Sequence, residues 1–102
     1  MELPQPHIRR SARVRFIIER NIPGASTLSA DELRDISAKS CDVVAGLGEP
    51  YNWVTSYVAG DKIYCIHVAE DEETIREHAR LGGFPANLVS EVKAIIDSST
   101  AG

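Results

Sequence analysis

The chain has 102 residues, 43% of them hydrophobic and 25% charged, with a formal charge of −4 at neutral pH. A domain of this size buries roughly two-thirds of the surface its unfolded chain exposes, enough for one core and too little for two. The composition excludes a disordered or fibrous chain, no apolar run approaches the roughly 20 residues of a membrane-crossing helix, and the negative balance argues against nucleic acid, which is held through a surplus of Lys and Arg.

Residues 1–12 hold Pro4 and Pro6 and little apolar periodicity, so a flexible arm is expected there. Its start carries no basic segment followed by an apolar stretch, so a signal peptide is not expected. With Cys41 and Cys65 readily kept as thiols in a reducing compartment, a cytoplasmic location is the expectation. Arg9, Arg10, Arg13 and Arg15 crowd the start of the first ordered element and read as a solvated arm and strand edge. The ordered domain is expected over residues 13–96, with a tail at 97–102.

The first strand begins where Val14, Phe16 and Ile18 alternate with Arg13, Arg15 and Glu19. Pro23 and Gly24 mark the loop that follows. Ser29 with Glu32 forms a capping box, and Leu28 with Leu33 supplies a hydrophobic staple, so a helix starts here. Its stripe, Leu33, Ile36, Ser40, Val44 and Leu47, recurs at spacings of three and four and is expected to press on a sheet; Gly46 and Gly48 end it.

Trp53 to Ala59 and Lys62 to Ala69 read as a hairpin around Gly60-Asp61. Pairing Ala59 with Lys62 sets Tyr57 opposite Tyr64, Ser56 opposite Cys65 and Val54 opposite His67. One face then carries Trp53, Thr55, Tyr57, Tyr64, Ile66 and Val68. The other carries Val54, Ser56, Val58, Ile63, Cys65 and His67, a smaller set expected to lie under the helices.

Asp71 caps a second helix whose first turn holds Glu72 and Glu73, and Gly82-Gly83 before Pro85 closes it. Its thin stripe, Ile75, His78, Ala79 and Gly82, places a histidine at the buried edge. The last strand is expected from about Leu88 to Ile96, with Leu88, Val92, Ala94 and Ile96 on one side and Glu91 and Lys93 on the other.

This order of elements is an α+β domain, most simply a ferredoxin-like βαββαβ sandwich. With right-handed crossovers the antiparallel sheet runs 4-1-3-2 and both helices cover one face. The open face would carry Trp53, Tyr57, Tyr64, Ile17 and Val89 among Arg15, Glu19, Glu91 and Lys93. So large an amphipathic surface is expected to pair with a second copy as a C2 homodimer.

Nucleotide loops, nucleophile elbows and CxxC zinc signatures are absent, so catalysis is not announced. The group with chemical potential is Cys65-Ile66-His67 followed by His78. Residues two apart on a strand share a side with Cα atoms about 6.6 Å apart, and a helix returning over the sheet at about 1.5 Å per residue brings His78 back toward them. Imidazole suits nickel, copper and zinc, and a thiolate adds softness. Each residue has a structural alternative: Cys65 as a small core residue, the histidines as satisfied core groups. Alternatively, Trp53, Tyr57 and Tyr64 form a pocket for a small organic ligand, with Glu19 or Glu91 as polar anchor, as in a dimeric α+β barrel enzyme or binding module; plain packing between two subunits is the competing role for these aromatics.

Trp53-Val54-Thr55-Ser56-Tyr57-Val58, Lys62-Ile63-Tyr64-Cys65, Ile75-Arg76-Glu77-His78-Ala79, Gly83-Phe84-Pro85-Ala86 and Glu91-Val92 resemble a largely uncharacterised family of small bacterial nickel-binding proteins of ferredoxin-like fold, over about residues 14–96. The resemblance implies a dimer that binds nickel at its surface and sequesters it, with no enzymatic activity assigned. It carries no ligand list, so His67, His78 and Cys65 stand as candidates on chemistry alone.

Overall fold

A computed structural model of the chain describes residues 13–102. The arm expected over residues 1–12, with Arg9 and Arg10, lies outside the described residues. Strand β1 spans Val14–Asn21, helix α1 Ala30–Gly46, β2 Tyr51–Ala59, β3 Lys62–Ala69, α2 Glu72–Gly82 and β4 Leu88–Glu91, with single 3-10 turns at Ala25–Thr27 and Ser98–Ala101. The four strands form one antiparallel sheet in the order β2-β3-β1-β4, which is the expected order read from the other edge. The arrangement is consistent with a ferredoxin-like α+β fold. Among the described residues no helix is long and apolar enough to cross a membrane.

Local chemistry sets the element ends. The Ser29 side chain accepts from Glu32 N at 3.1 Å while Glu32 Oε1 accepts from Ser29 N at 2.8 Å, so the capping box closes α1 at its start. Asp71 accepts from both Thr74 N and Thr74 Oγ1 at 2.8 Å and caps α2. Gly83, at φ 71°, takes the left-handed position that ends α2. At the tip of the β2–β3 hairpin Gly60 has φ 59°, and Ala59 pairs with Lys62 as the two-residue turn requires. That tip is tied to the loop after β1 by Ile22 N donating to Asp61 O, Ser26 N to Gly60 O and Gly24 N to Asp61 Oδ1.

The core lies between the helices and one sheet face. Phe16 and Ile18 from β1, Tyr51 from β2, Ile63, Cys65 and Ala69 from β3 and Ile75 from α2 form it, with Val44, Leu47 and Val89 packed against it. Ile18 and Ile75 are fully enclosed, each contributing about 1.5–3 kcal/mol from burial.

The sheet departs from the expected pattern at three places. A bulge between Trp53 and Thr55 leaves Val54 unpaired and sets Trp53, not Val54, opposite His67. The extra residue shifts the parity of β2, so Tyr51 and Trp53 join the helix face while Tyr57 stays on the open one. On β4, Val89 pairs with Ile18 and Glu91 with Phe16, so Val89 and Glu91 lie on the helix face and Leu88 on the open face, the reverse of the expectation. Leu88 and Val89 are both apolar, so alternation alone does not choose between them, and pairing with β1 decides. The strand also stops at Glu91, not near Ile96. Val92 N still donates to Arg15 O, and because β1 begins at Val14 the register leaves no partner for residues beyond Lys93.

Helix α1 meets the domain chiefly through α2 and stands off from the sheet at its N-terminal half. Of its expected stripe only Ser40 is buried; Leu33 and Ile36 are half-exposed. The wedge between this half of α1 and the sheet is open.

Candidate functional site

The wedge is a cavity of about 560 Å³. Its floor is the helix face of the sheet, with Arg20 from β1, Trp53 and Ser56 from β2, and Cys65 and His67 from β3. Leu33, Ile36, Ser37 and Ser40 of α1 form the roof, and His78 of α2 with Phe84 forms the end wall. No Asp or Glu lines it.

At the end wall five side chains interlock. His67 and His78 are each 1% exposed, and their ring centroids lie 5.1 Å apart in an edge-to-face arrangement. The Tyr51 hydroxyl and His67 Nδ1 are hydrogen-bonded at 2.5 Å. Ser40 Oγ and His78 Nε2 are hydrogen-bonded at 3.0 Å. Tyr51 and Phe84 stack on the His78 ring at centroid distances of 5.1 and 5.6 Å. His78 Nδ1 is buried and has no hydrogen-bond partner, alone in this among the side-chain atoms of the described residues.

Both imidazoles are held neutral. Burial, then the neighbouring His78 ring and the Arg20 guanidinium, lowers His67 to about 3. Burial and Arg20 lower His78 to about 4. Desolvation raises the Tyr51 phenol above its ordinary value, so it stays protonated. If Nε2–H donates to Ser40 Oγ, His78 Nδ1 presents a lone pair; if His67 Nδ1–H donates to the Tyr51 oxygen rather than accepting from the phenol O–H, which has no other acceptor among the described residues, His67 presents one at Nε2. In this tautomeric state the two rings are two nitrogen donors with oriented back bonds, the arrangement in which a histidine serves a metal.

Arg20 is the other notable group. Its side chain is 4% exposed. Nε–H donates to Cys65 Sγ at 3.3 Å and Nη1–H to the Pro85 carbonyl at 2.6 Å, and Cζ lies 5.5 Å from the Phe84 ring centroid. Among the described residues it forms no ion pair.

The structure thus brings His67 and His78 together. Cys65 lies on the same face, buried, with its sulfur engaged by Arg20. Among the described residues no group of three or more His, Cys, Asp or Glu side chains is placed to hold a metal ion. The second expected set is divided. Tyr57 and Tyr64 pair across the hairpin on the open face with Glu19, which bonds Lys62 at 3.2 Å, whereas Trp53 and Glu91 lie on the helix face for the reasons of register given above. Tyr57 is 62% exposed, and the cavity opens on the opposite side of the sheet from these tyrosines.

Sequence reasoning missed Arg20, Tyr51, Ser40 and Phe84 as site residues. Arg20 continues the period of Phe16 and Ile18 and was therefore detectable on the inward side of β1. Tyr51 precedes the expected start of β2 and is turned inward by the bulge, which no local signal announces.

A family model described as nickel responsive protein SCO4226-like matches residues 16–92. The crystal structure of SCO4226 from Streptomyces coelicolor A3(2) superposes with a TM-score of 0.68 at 19% identity, covering 80% of this chain and 99% of that one. At that identity the likeness carries the fold. Among curated proteins none matches the chain significantly.

Proposed function

The chain belongs to the family of nickel responsive proteins like SCO4226, and from that membership we propose that it binds a divalent metal ion, nickel first, and holds it as cargo for sequestration or buffering. The observation that carries the reading is the orphaned Nδ1 of His78 next to the His67 ring, two neutral nitrogen donors at one end of an open cavity. Nickel accepts imidazole readily, and a donor that is already deprotonated costs no proton release on binding. His67 and His78 would hold the ion; Cys65, beside them, is the remaining candidate from the soft end of the donor series. Other positions would fall to water, since Ser40 and Tyr51 bond the ring nitrogens that face away from the ion. The ion supplies no chemical step, and the chain needs no catalytic group for this role.

The reading extends to a cytoplasmic homodimer. Ile17, Tyr64, Ile66 and Val68 on the open sheet face are only partly covered within one chain, and a second sheet would complete their burial. A reducing compartment suits two free thiols, one of them exposed.

Calorimetric titration of tag-free protein with nickel tests the proposal. Saturable binding is expected, weakened by about tenfold or more, or about 1.4 kcal/mol, in His67→Ala/His78→Ala. Unchanged affinity in the double variant rejects the site, and absence of binding in the wild type rejects the function.

A further inference from the structure

We propose that the cavity between α1 and the sheet is a binding site for a small organic anion, a monocarboxylate with a flat or branched apolar body, anchored by Arg20. Taking a guanidinium out of water costs several kcal/mol unless its charge is matched, and Arg20 is buried without an acidic partner among the described residues. Its two hydrogen bonds go to a thiol sulfur and a backbone carbonyl, neither of which carries the balancing charge. Its remaining nitrogen, Nη2, has no hydrogen bond among the described residues. A guanidinium presents donors in a planar fork that matches a carboxylate.

The cavity around it has the proportions and lining of a ligand site. Small-molecule pockets run to about 300–1,000 Å³, mostly apolar with a few placed polar groups, and this one, at about 560 Å³, combines Leu33, Ile36 and Trp53 with the hydroxyls of Ser37, Ser40 and Ser56. Because no acidic side chain lines it, nothing inside competes for Arg20. One fixed positive charge with no second cationic Lys or Arg in the lining suits a monoanion; a phosphate dianion would leave charge unmatched. The sequence accounts for the vacancy of the roof: α1 presents serines at 37 and 40, where larger side chains would have filled the wedge.

The inference stands apart from nickel, and its test uses metal-free protein in chelator. Trp53 is the only tryptophan and lines the cavity, so its fluorescence reports filling. Phenylacetate and 4-methylpentanoate should give saturable changes, and 2-phenylethanol, which keeps the ring and loses the charge, should bind at least about tenfold more weakly, the least that loss of a charged hydrogen bond costs. Arg20→Met should equalise acid and alcohol. Ser37→Phe, which fills the roof and leaves Arg20 in place, should abolish both, read as loss of ligand-induced amide shifts in two-dimensional NMR while the remaining spectrum stays dispersed. Absence of saturation with either acid, equal affinity for acid and alcohol in the wild type, or undiminished binding in Ser37→Phe overturns the proposal.

Discussion

His67 and His78 are buried in neutral form, and this ties stability to pH. Their folded values, about 3 and about 4, lie below the ordinary 6.5. Above pH 6.5 both folded and unfolded chains hold the rings neutral and no penalty arises. As pH falls, the unfolded chain takes up protons that the folded one refuses, so stability declines through the window from about 6.5 to about 4 and levels off below about 3. At about 1.4 kcal/mol per pKa unit, the pair should leave the fold on the order of 5 kcal/mol less stable near pH 4.5 than near pH 7.5. Urea unfolding at the two pH values measures this, and His67→Gln should remove about half of the difference. Equal stability at both would contradict the neutral pair.

Both histidines were legible as inward-facing residues: His67 by strand parity with Ile63 and Cys65, His78 by its place on the α2 stripe. Their meeting at 5.1 Å depends on how α2 docks, which is a tertiary property. Arg20 was legible in position and not in role, because a charge on an apolar face conflicts with composition rules and its contacts with Cys65, Phe84 and the Pro85 carbonyl are distant in the chain. The cap residues Ser29 and Asp71 were fully legible, since their hydrogen bonds run to backbone three residues away.

At the scale of elements, α1 depends on its own start more than α2 does, because its N-terminal half has little sheet beneath it. Ser29→Ala removes the acceptor for Glu32 N and should cost about 1 kcal/mol, read as a lower urea midpoint with an unchanged slope. On α2, a Cβ at Gly82 would run into the Phe84 ring, which stacks on His78. Gly82→Ala should therefore destabilise by about 1–3 kcal/mol through overpacking, despite the better helix propensity of alanine, and it should shift the His78 ring resonances. A stabilised variant would show that Phe84 yields freely. The strands were legible in existence and order, but the faces of β2 and β4 were not. A bulge at Trp53/Thr55 leaves no mark on the apolar pattern, and Leu88-Val89 reads equally well in either parity.

For the molecule as a whole, the sheet has one face under the helices and one bearing Ile17, Tyr57, Tyr64, Ile66 and Val68. Sedimentation at micromolar concentration should give a dimer, and Tyr64→Lys, which places a charge in the middle of that face, should shift it toward monomer without unfolding the chain. A wild-type monomer would remove the dimer.

Nickel-edge X-ray absorption of the loaded protein tests the metal assignment most directly. Imidazole scattering from about two nitrogen ligands is expected, lost in His67→Ala/His78→Ala. A spectrum with oxygen ligands only, or one unchanged in the double variant, would place the ion elsewhere and contradict it.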